Sequence, residues 1–314
     1  MKKSIFLFLG ILMILPACAP AGSATAVAFQ NDKLAEILAR GTLVIATDAD
    51  YEPQSKLLLN SSPDPNTKCL PTQYTASQMT GFDVEVAVGV ARRLAVEPCF
   101  VTPPWNQLVA GNWGDNWDVH VGSVAITLDR TKVLYFSQPY YATPSVILLH
   151  KDNVTFQKPA DLSGKRIGVC VGCTFEAYLM GTLQIPGEKI EFQIQDAQIV
   201  GYENEEPAIQ DLSAGDGVKL DAVITILPLA KKSIASGKPV RILGEPIWFA
   251  YASVTLDRAS KRDPTRLLST ISDIITELHS DGTLKRLSLK YEEQDLTQEA
   301  ARYDISGLNQ LSRP

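Results

Sequence analysis

WDVHVGSVAITLDRTKVLYFSQPYY, residues Trp117 to Tyr141, reads as a buried strand that delivers a polar loop and then an arginine. Val119, Val121 and Val124 are β-branched and suit a strand, Gly122 and Ser123 are small, and Thr127 to Arg130 is polar. The pattern is that of a strand end opening onto a surface or a cleft. Arg130 is the residue of interest, because a guanidinium places two parallel hydrogen bonds on a carboxylate and keeps its charge at any ordinary pH. Charged side chains are mostly exposed, so this stretch taken alone favours a solvated arginine over a ligand contact.

The whole chain has 314 residues, 45% hydrophobic and 20% charged, which is globular composition and enough for two compact units. Lys and Arg total 29 against 35 acids, a net charge of −6, and no basic run is interleaved with aromatics. Nucleic acid is therefore not an expected partner. At the N-terminus, Lys2 and Lys3 precede an apolar run from Ile5 to Leu15, which is too short to span a bilayer and reads as an export signal over residues 1–18. Leu15-Pro16-Ala17-Cys18 resembles the lipobox of bacterial lipoproteins. On that reading Cys18 is lipidated and the protein is a membrane-anchored lipoprotein in the periplasm or on the cell surface, with residues 19–40 forming a tether and first helix. The competing reading is secretion after cleavage near Ala24-Thr25-Ala26. Export makes disulfides the expected state of Cys69, Cys99, Cys170 and Cys173. Four cysteines allow three pairings, the simplest being Cys69 with Cys99 and Cys170 with Cys173.

Asp32 to Arg40 carries Leu34, Ile37 and Leu38 on one helical face, with Gly41 where a helix would stop. Thr42 to Thr47 is a buried strand ending on Asp48-Ala49-Asp50-Tyr51-Glu52-Pro53, and polar loops at the carboxyl ends of such strands are where open α/β sheets bind ligands. Residues 54–80 form a long aperiodic segment that Cys69 is placed to pin. Strand-like runs at Ser145–Leu149, Arg166–Val171, Leu220–Ile224 and Val240–Leu243 alternate with helical stretches at Thr174–Thr182, Glu206–Ser213 and Pro228–Ser236, an α/β pattern. A last long helix is predicted from Asp263 as N-cap and Pro264 at the first helical position to a stop at Gly282.

GFDVEVAVGVARRL, residues 81–94, resembles the signature of the family 3 extracellular solute-binding proteins, the polar amino-acid receptors of ABC importers. GTLVIATDADY, the opening stretch above, DLSGKRIGVCVGCTFEAYL, LDAVITILPLA and SDGTLKRLSLKY follow the same family in the same order, covering residues 41–292. The resemblance implies an α/β, type II periplasmic-binding-protein fold: two lobes of mixed sheet flanked by helices, joined by two crossover strands acting as a hinge. Lobe 1 would be residues 41–143 plus 248–292 and lobe 2 residues 144–247, leaving 293–314 as a C-terminal tail without a functional account.

Carried over by position, the resemblance makes Tyr51 and Trp105 aromatic walls of a ligand site. Gly122, Ser123 and Ala125 become lobe 1 donors and Arg130 a carboxylate clamp, which reverses the reading of that arginine in isolation. Asp48 would pair with a cationic group or cap its own turn. Gly172, Cys173 and Thr174 would meet the carboxylate from lobe 2. Two departures stand out. Cys170 and Cys173 flank that loop, and are read as a short disulfide ahead of a reactive thiol or a soft-metal site. Ile226 occupies the place of the aspartate that usually receives the ligand's α-ammonium, so either the ligand lacks a free amino group there or another acid, such as Asp48 or Glu52, replaces it. His120 is read as a core histidine.

The resemblance thus implies a receptor for a small carboxylate-bearing solute, an amino acid or its derivative, working as a monomer with a membrane permease and needing no cofactor, no metal and no catalytic residue. The alternatives are an organic-acid sensor subunit and a dehydratase-like enzyme on the same fold.

Overall fold

The computed structural model describes residues 31–310; the export segment, Cys18, most of the tether and the last four tail residues lie outside the described residues. Helix α1 (Lys33–Arg40) is capped by the Asp32 carboxylate, which accepts from the Leu34 and Ala35 N–H groups, and ends on left-handed Gly41. Strand β1 (Thr42–Ala46) is buried along its length. A small antiparallel sheet of β2 (Asp50–Tyr51), β3 (Ser55–Leu57) and β4 (Met79–Thr80) follows. The irregular segment between β3 and β4 is tied to β5 (Glu97–Val101) by the Cys69–Cys99 disulfide. Helix α2 (Phe82–Arg93) starts at Gly81, where only glycine fits: φ is 131° and a Cβ would lie 2.2 Å from the Gln54 carbonyl oxygen.

Helix α3 (Trp105–Ala110) leads to β6 (Val119–His120). This strand is much shorter than the expected run to Val124. The Val121 N–H still bonds the Ala46 carbonyl, but Ser123 has φ 59° and turns the chain off the sheet into the loop before Arg130. Two long strands then dominate, β7 (Leu134–His150) and, after the second half of the chain, β11 (Val240–Asp257). Between them come β8 (Arg166–Cys170), α4 (Thr174–Leu179), β9 (Gln198–Tyr202), α5 (Glu205–Leu212), β10 (Ala222–Ile226) and α6 (Leu227–Ala235).

The eight-stranded mixed sheet has the order β5-β1-β6-β11-β7-β10-β8-β9. One half comes from the chain before β7 and the other from the chain after it, so β7 and β11 are the seam between two α/β lobes. They pair antiparallel, and the register jumps between Leu243 and Trp248, against Ile147 and Ser145, with left-handed Gly244 in the jump. That irregularity falls where the sequence resemblance divides the lobes.

The last long helix, α7 (Thr265–Ser280), begins one residue later than predicted. Pro264 sits at the cap position, yet the Asp263 carboxylate still accepts from the Thr265 N–H at 2.9 Å, so the expected cap acts across the proline. Gly282 opens α8 (Thr283–Glu292) rather than closing α7, which ends at Asp281. The tail then returns along the seam. The Ala142 N–H bonds the Leu296 carbonyl, and Gln138 Nε2 donates to the carbonyls of Ala300 and Tyr303 around α9 (Gln298–Arg302). Asn309 grips the Phe136 backbone with both side-chain ends, accepting from its N–H at 2.9 Å and donating to its carbonyl at 2.8 Å. Tyr303 packs against Tyr251 of β11 with ring centroids 4.3 Å apart and planes tilted by 34°, and donates to the Pro186 carbonyl in the other lobe. The tail is therefore a brace across both crossing strands.

Asn309→Ala should remove two hydrogen bonds to a buried strand and lower unfolding free energy by about 1–3 kcal/mol in urea titrations. Gln310→Ala, next to it and exposed, should have no measurable effect.

Candidate functional site

One cavity lies between the lobes beside the crossing strands, with about 760 Å³ of atom-free space that continues into solvent. Asp48, Tyr51, Trp105, Gly122, Ser123, Ala125, Arg130, Cys173, Thr174 and Ile226 line it. Gly172 is not on its wall but reaches the site through its carbonyl oxygen. These residues lie at or just beyond the ends of β1, β5, β6, β8 and β10, so the strand ends aim them at one space. Cys170, Tyr141, Thr143, His120, Glu203 and Glu205, none of them proposed from sequence as ligand contacts, also line the cavity.

Arg130 is 8% exposed and has no carboxylate partner among the described residues. Its guanidinium donates to the Ala125 carbonyl at 3.0 Å and, across the cleft, to the Gly172 carbonyl at 3.1 Å. The Trp105 ring lies 5.4 Å from it, a cation–π distance. Burial pulls Arg130 down to about 10, which leaves it protonated at neutral pH. Trp105 is held against the guanidinium and edge-on to His120 at 6.3 Å, and its indole N–H is buried without a partner.

The lobe 1 and lobe 2 donors are partly committed already. Ser123 gives its hydroxyl proton to Asp83 at 2.7 Å and its backbone N–H to the Tyr140 hydroxyl at 3.0 Å, while Tyr141 donates to the Ser123 hydroxyl. The Gly172 N–H donates to Glu176 at 2.7 Å, and left-handed Gly172, φ 74°, turns its carbonyl toward Arg130. The Cys170–Cys173 disulfide closes this loop. Cys170 Sγ, Cys173 Sγ and a Glu205 oxygen lie within 4.8 Å of one another, but with the sulfurs bonded neither is a thiolate ligand.

The acids divide clearly. Asp48 accepts from the Asp50 N–H at 2.8 Å, so it caps its turn while facing the cavity. Glu52 is turned outward and paired with Lys56 and, across the lobes, Lys232, each at 2.9 Å; these pairings hold its carboxyl below the usual range. Glu205 is 4% exposed, on the first turn of α5 after the Asn204 cap, and burial pushes it up to about 7, with a further push from Asp48. The only hint of it in sequence was the acid-rich Glu203-Asn204-Glu205-Glu206 turn. His120 is fully buried and pressed down to about 3 by burial and then by Arg130, so the ring is neutral, and neither of its nitrogens has a protein partner. The core reading of His120 is right about burial but misses that the ring lines the cavity.

The profile of the bacterial extracellular solute-binding proteins, family 3, matches residues 66–294. The chain belongs to that family. The family 3 protein is 28% identical to the L-cystine-binding protein TcyJ of Escherichia coli (strain K12) over 269 residues, 84% of this chain and 87% of that one. It is 26% identical to the ABC transporter arginine-binding protein 1 of the same strain over 214 residues, 68% and 81% of the two chains. Among solved structures it resembles the ancestral amino acid-binding protein AncCDT-1, a precursor of cyclohexadienyl dehydratase, at a TM-score of 0.65 and 26% identity over 83% of this chain and all of that one. A mutant of ArgBP from T. maritima gives a TM-score of 0.64 at 25% identity over the same shares. The protein is a solute-binding receptor on the two-lobed, type II periplasmic-binding-protein fold.

Burial holds Asp83 at about 7 against an ordinary 3.8, so ionising it costs folded-state stability progressively as pH rises through that window. Ser123 and Tyr140 donate to the carboxylate and limit that cost. Ser123→Ala should therefore destabilise the protein by about 1–3 kcal/mol at pH 8.5 and by clearly less at pH 5, where Asp83 is protonated in either variant. Urea unfolding at the two pH values checks this.

Proposed function

We propose that the protein is the extracytoplasmic receptor of an ABC importer for an α-amino acid or a close derivative, with Arg130 as the clamp for its carboxylate. One observation carries the reading: a buried guanidinium that faces the interlobe cavity with no carboxylate partner among the described residues. Two backbone carbonyls and a ring stabilise a cation less than an anion would, so a ligand carboxylate is the natural counter-charge. The names of the relatives, which cover L-cystine, arginine and histidine, favour the same class.

We place the lobes at residues 41–143 with 248–292 and at 144–247, closing on the ligand about β7 and β11. Contacts that bridge them support a closed geometry: Arg130 to Gly172, Glu52 to Lys232, and the Leu128 N–H to the Gln184 carbonyl at 2.9 Å. Tyr51 and Trp105 form the walls around the ligand's side chain. The closed form would dock on a membrane permease as a monomer, held at the membrane through Cys18. Among the described residues no helix is long and apolar enough to cross a membrane.

Binding rather than catalysis fits the relatives, whose names are those of binding proteins. A general base working near neutral pH needs a conjugate acid of similar pKa. His120, at about 3, is far too weak a base, and Glu205, at about 7, is the one cavity group with a titration that would suit the role. Mass spectrometry of a bound amino acid after prolonged incubation should recover it unchanged.

Arg130→Ala should weaken binding of the amino acid that gives the largest thermal shift by about 2–5 kcal/mol, roughly 30- to 4,000-fold, by calorimetry. A change of less than about threefold would remove the clamp assignment.

A further inference from the structure

Glu205 is a buried carboxylate that the fold does not explain. Its neighbour Glu206 does what a first-turn acid ordinarily does: it is exposed and paired, here with Lys238. The helix cap is already supplied by Asn204, which accepts from the Glu206 N–H. Glu205 instead turns inward, 4% exposed, onto the wall of the cavity that holds Arg130. It has no cationic partner among the described residues. The Cys170 sulfur lies 3.4 Å from its carboxylate and, bonded to Cys173, has no proton to give, which leaves its own backbone N–H as a donor. Taking a carboxylate out of water with no cation beside it costs several kcal/mol, more than one backbone donor returns, so burial favours the protonated form.

We infer that Glu205 is the seat of the ligand's α-ammonium, and that an amino acid binds by exchanging this cation for the proton Glu205 otherwise carries. This rests on the amino-acid reading above and extends it to a second subsite. The cavity then has a free cation on one lobe and a suppressed anion on the other, and a zwitterion supplies the counter-charge to each. Lobe closure and charge matching become one event, because Arg130 and Glu205 belong to opposite lobes.

The surroundings fix the sign of the pH dependence. From lobe 1, Asp48 faces Glu205 and opposes its ionisation, while the Tyr51 hydroxyl, pushed up by burial and then by Glu205, stays neutral. From lobe 2, Glu203 and the Cys170–Cys173 bridge line the same cavity, adding one more acid and no cation. Behind Glu205 a second cavity, which it also lines, holds Asp50, Glu52, Glu206, Lys232 and Lys238. Those lysines are committed to Glu52 and Glu206. Arg130 and the neutral His120 lie on the shared cavity. Glu205 thus titrates at about 7 without ligand, and a neighbouring ammonium lowers it. Binding should release a proton below that pH and none well above it.

Isothermal calorimetry on the full-length protein, in two buffers of different ionisation enthalpy at pH 6 and pH 8.5, measures this directly. The probes are L-arginine, L-histidine and L-cystine, with the α-hydroxy-acid analogue of whichever binds most tightly. The wild type should release about 0.8 proton per bound amino acid at pH 6 and almost none at pH 8.5, with affinity falling toward acid. The hydroxy analogue should release none. Glu205→Gln, nearly isosteric and relieved of a buried acid, should fold, abolish the release and weaken amino-acid binding at pH 8.5 by at least about 30-fold. Glu205→Gln with proton release and affinity within threefold of wild type overturns the inference while leaving the amino-acid receptor intact. Release that disappears in Asp48→Asn but persists in Glu205→Gln moves the subsite to Asp48 and also overturns it. If no amino acid binds the wild type, the receptor reading itself fails first. Should Glu205→Gln not fold, equal proton release by the amino acid and its hydroxy analogue on the wild type overturns the inference.

Discussion

A guanidinium buried between two lobes and held by carbonyls rather than a carboxylate is the constraint on which the site is built. Arg130 reaches its position because the chain leaves the sheet abruptly after β6, at Gly122 and Ser123, and returns as β7 a few residues beyond it. The Ala125 carbonyl, at the start of that excursion, turns back to accept from it. Gly172 completes the cradle from the other lobe, and can do so because its left-handed backbone points the carbonyl across the cleft. The disulfide on either side of Gly172 narrows the ways in which that loop can move. At Arg130, lobe 2 therefore contributes a fixed dipole rather than an anion, and the counter-charge of the guanidinium is left to the ligand.

The seam has the opposite requirement. Two strands of 17 and 18 residues must join the lobes firmly and still allow a change of angle. The register jump between Leu243 and Trp248 is the widest break in the ladder, with smaller shifts at Ala252–Ser253 and Ser253–Thr255, so the pairing is loosest where the strands pass between the lobes. The C-terminal tail reinforces one side of that break. Its grip on Phe136 and Gln138 is on the lobe 1 end of β7, and its Tyr303 contact with Pro186 reaches lobe 2. These are added contacts, since the family profile ends at residue 294.

Much of this was legible in the sequence. The strand runs, the helix stripes and the Asp32 and Gly41 caps are local signals, set by side-chain period and backbone preference. Residues Tyr51, Trp105 and Arg130 were found through the resemblance, and they line one cavity. The misses share a different cause. That β6 stops at His120 depends on the φ of Ser123, which no pattern of valines reveals. The commitment of Ser123 to Asp83 depends on Tyr140 and Tyr141, which approach from the far strand. Glu205 lies one residue before the helical stretch expected from Glu206, and which of two adjacent glutamates turns inward is decided by packing of α5 on the sheet.

Three buried acids, Asp83, Glu205 and Glu292, are all pushed up toward or above neutrality by burial, and perturbed titration alone does not tell which of them matters to a ligand. Hydrogen bonding separates them. Asp83 receives donors from Ser123 and Tyr140 within lobe 1, and Glu292 receives the Gln54 amide at 2.8 Å, so both are anchored by their own lobe and act as struts. Neither lines the cavity. Glu205 has the cavity on one side, a proton-free disulfide sulfur on the other and only its own backbone N–H as a donor, so any further donor comes from what enters the cleft. A carboxylate held by side-chain donors of its own lobe is part of the architecture. The same group without side-chain donors, on the wall of a ligand cavity and opposite a guanidinium with the converse deficit, is where recognition has the most free energy to gain.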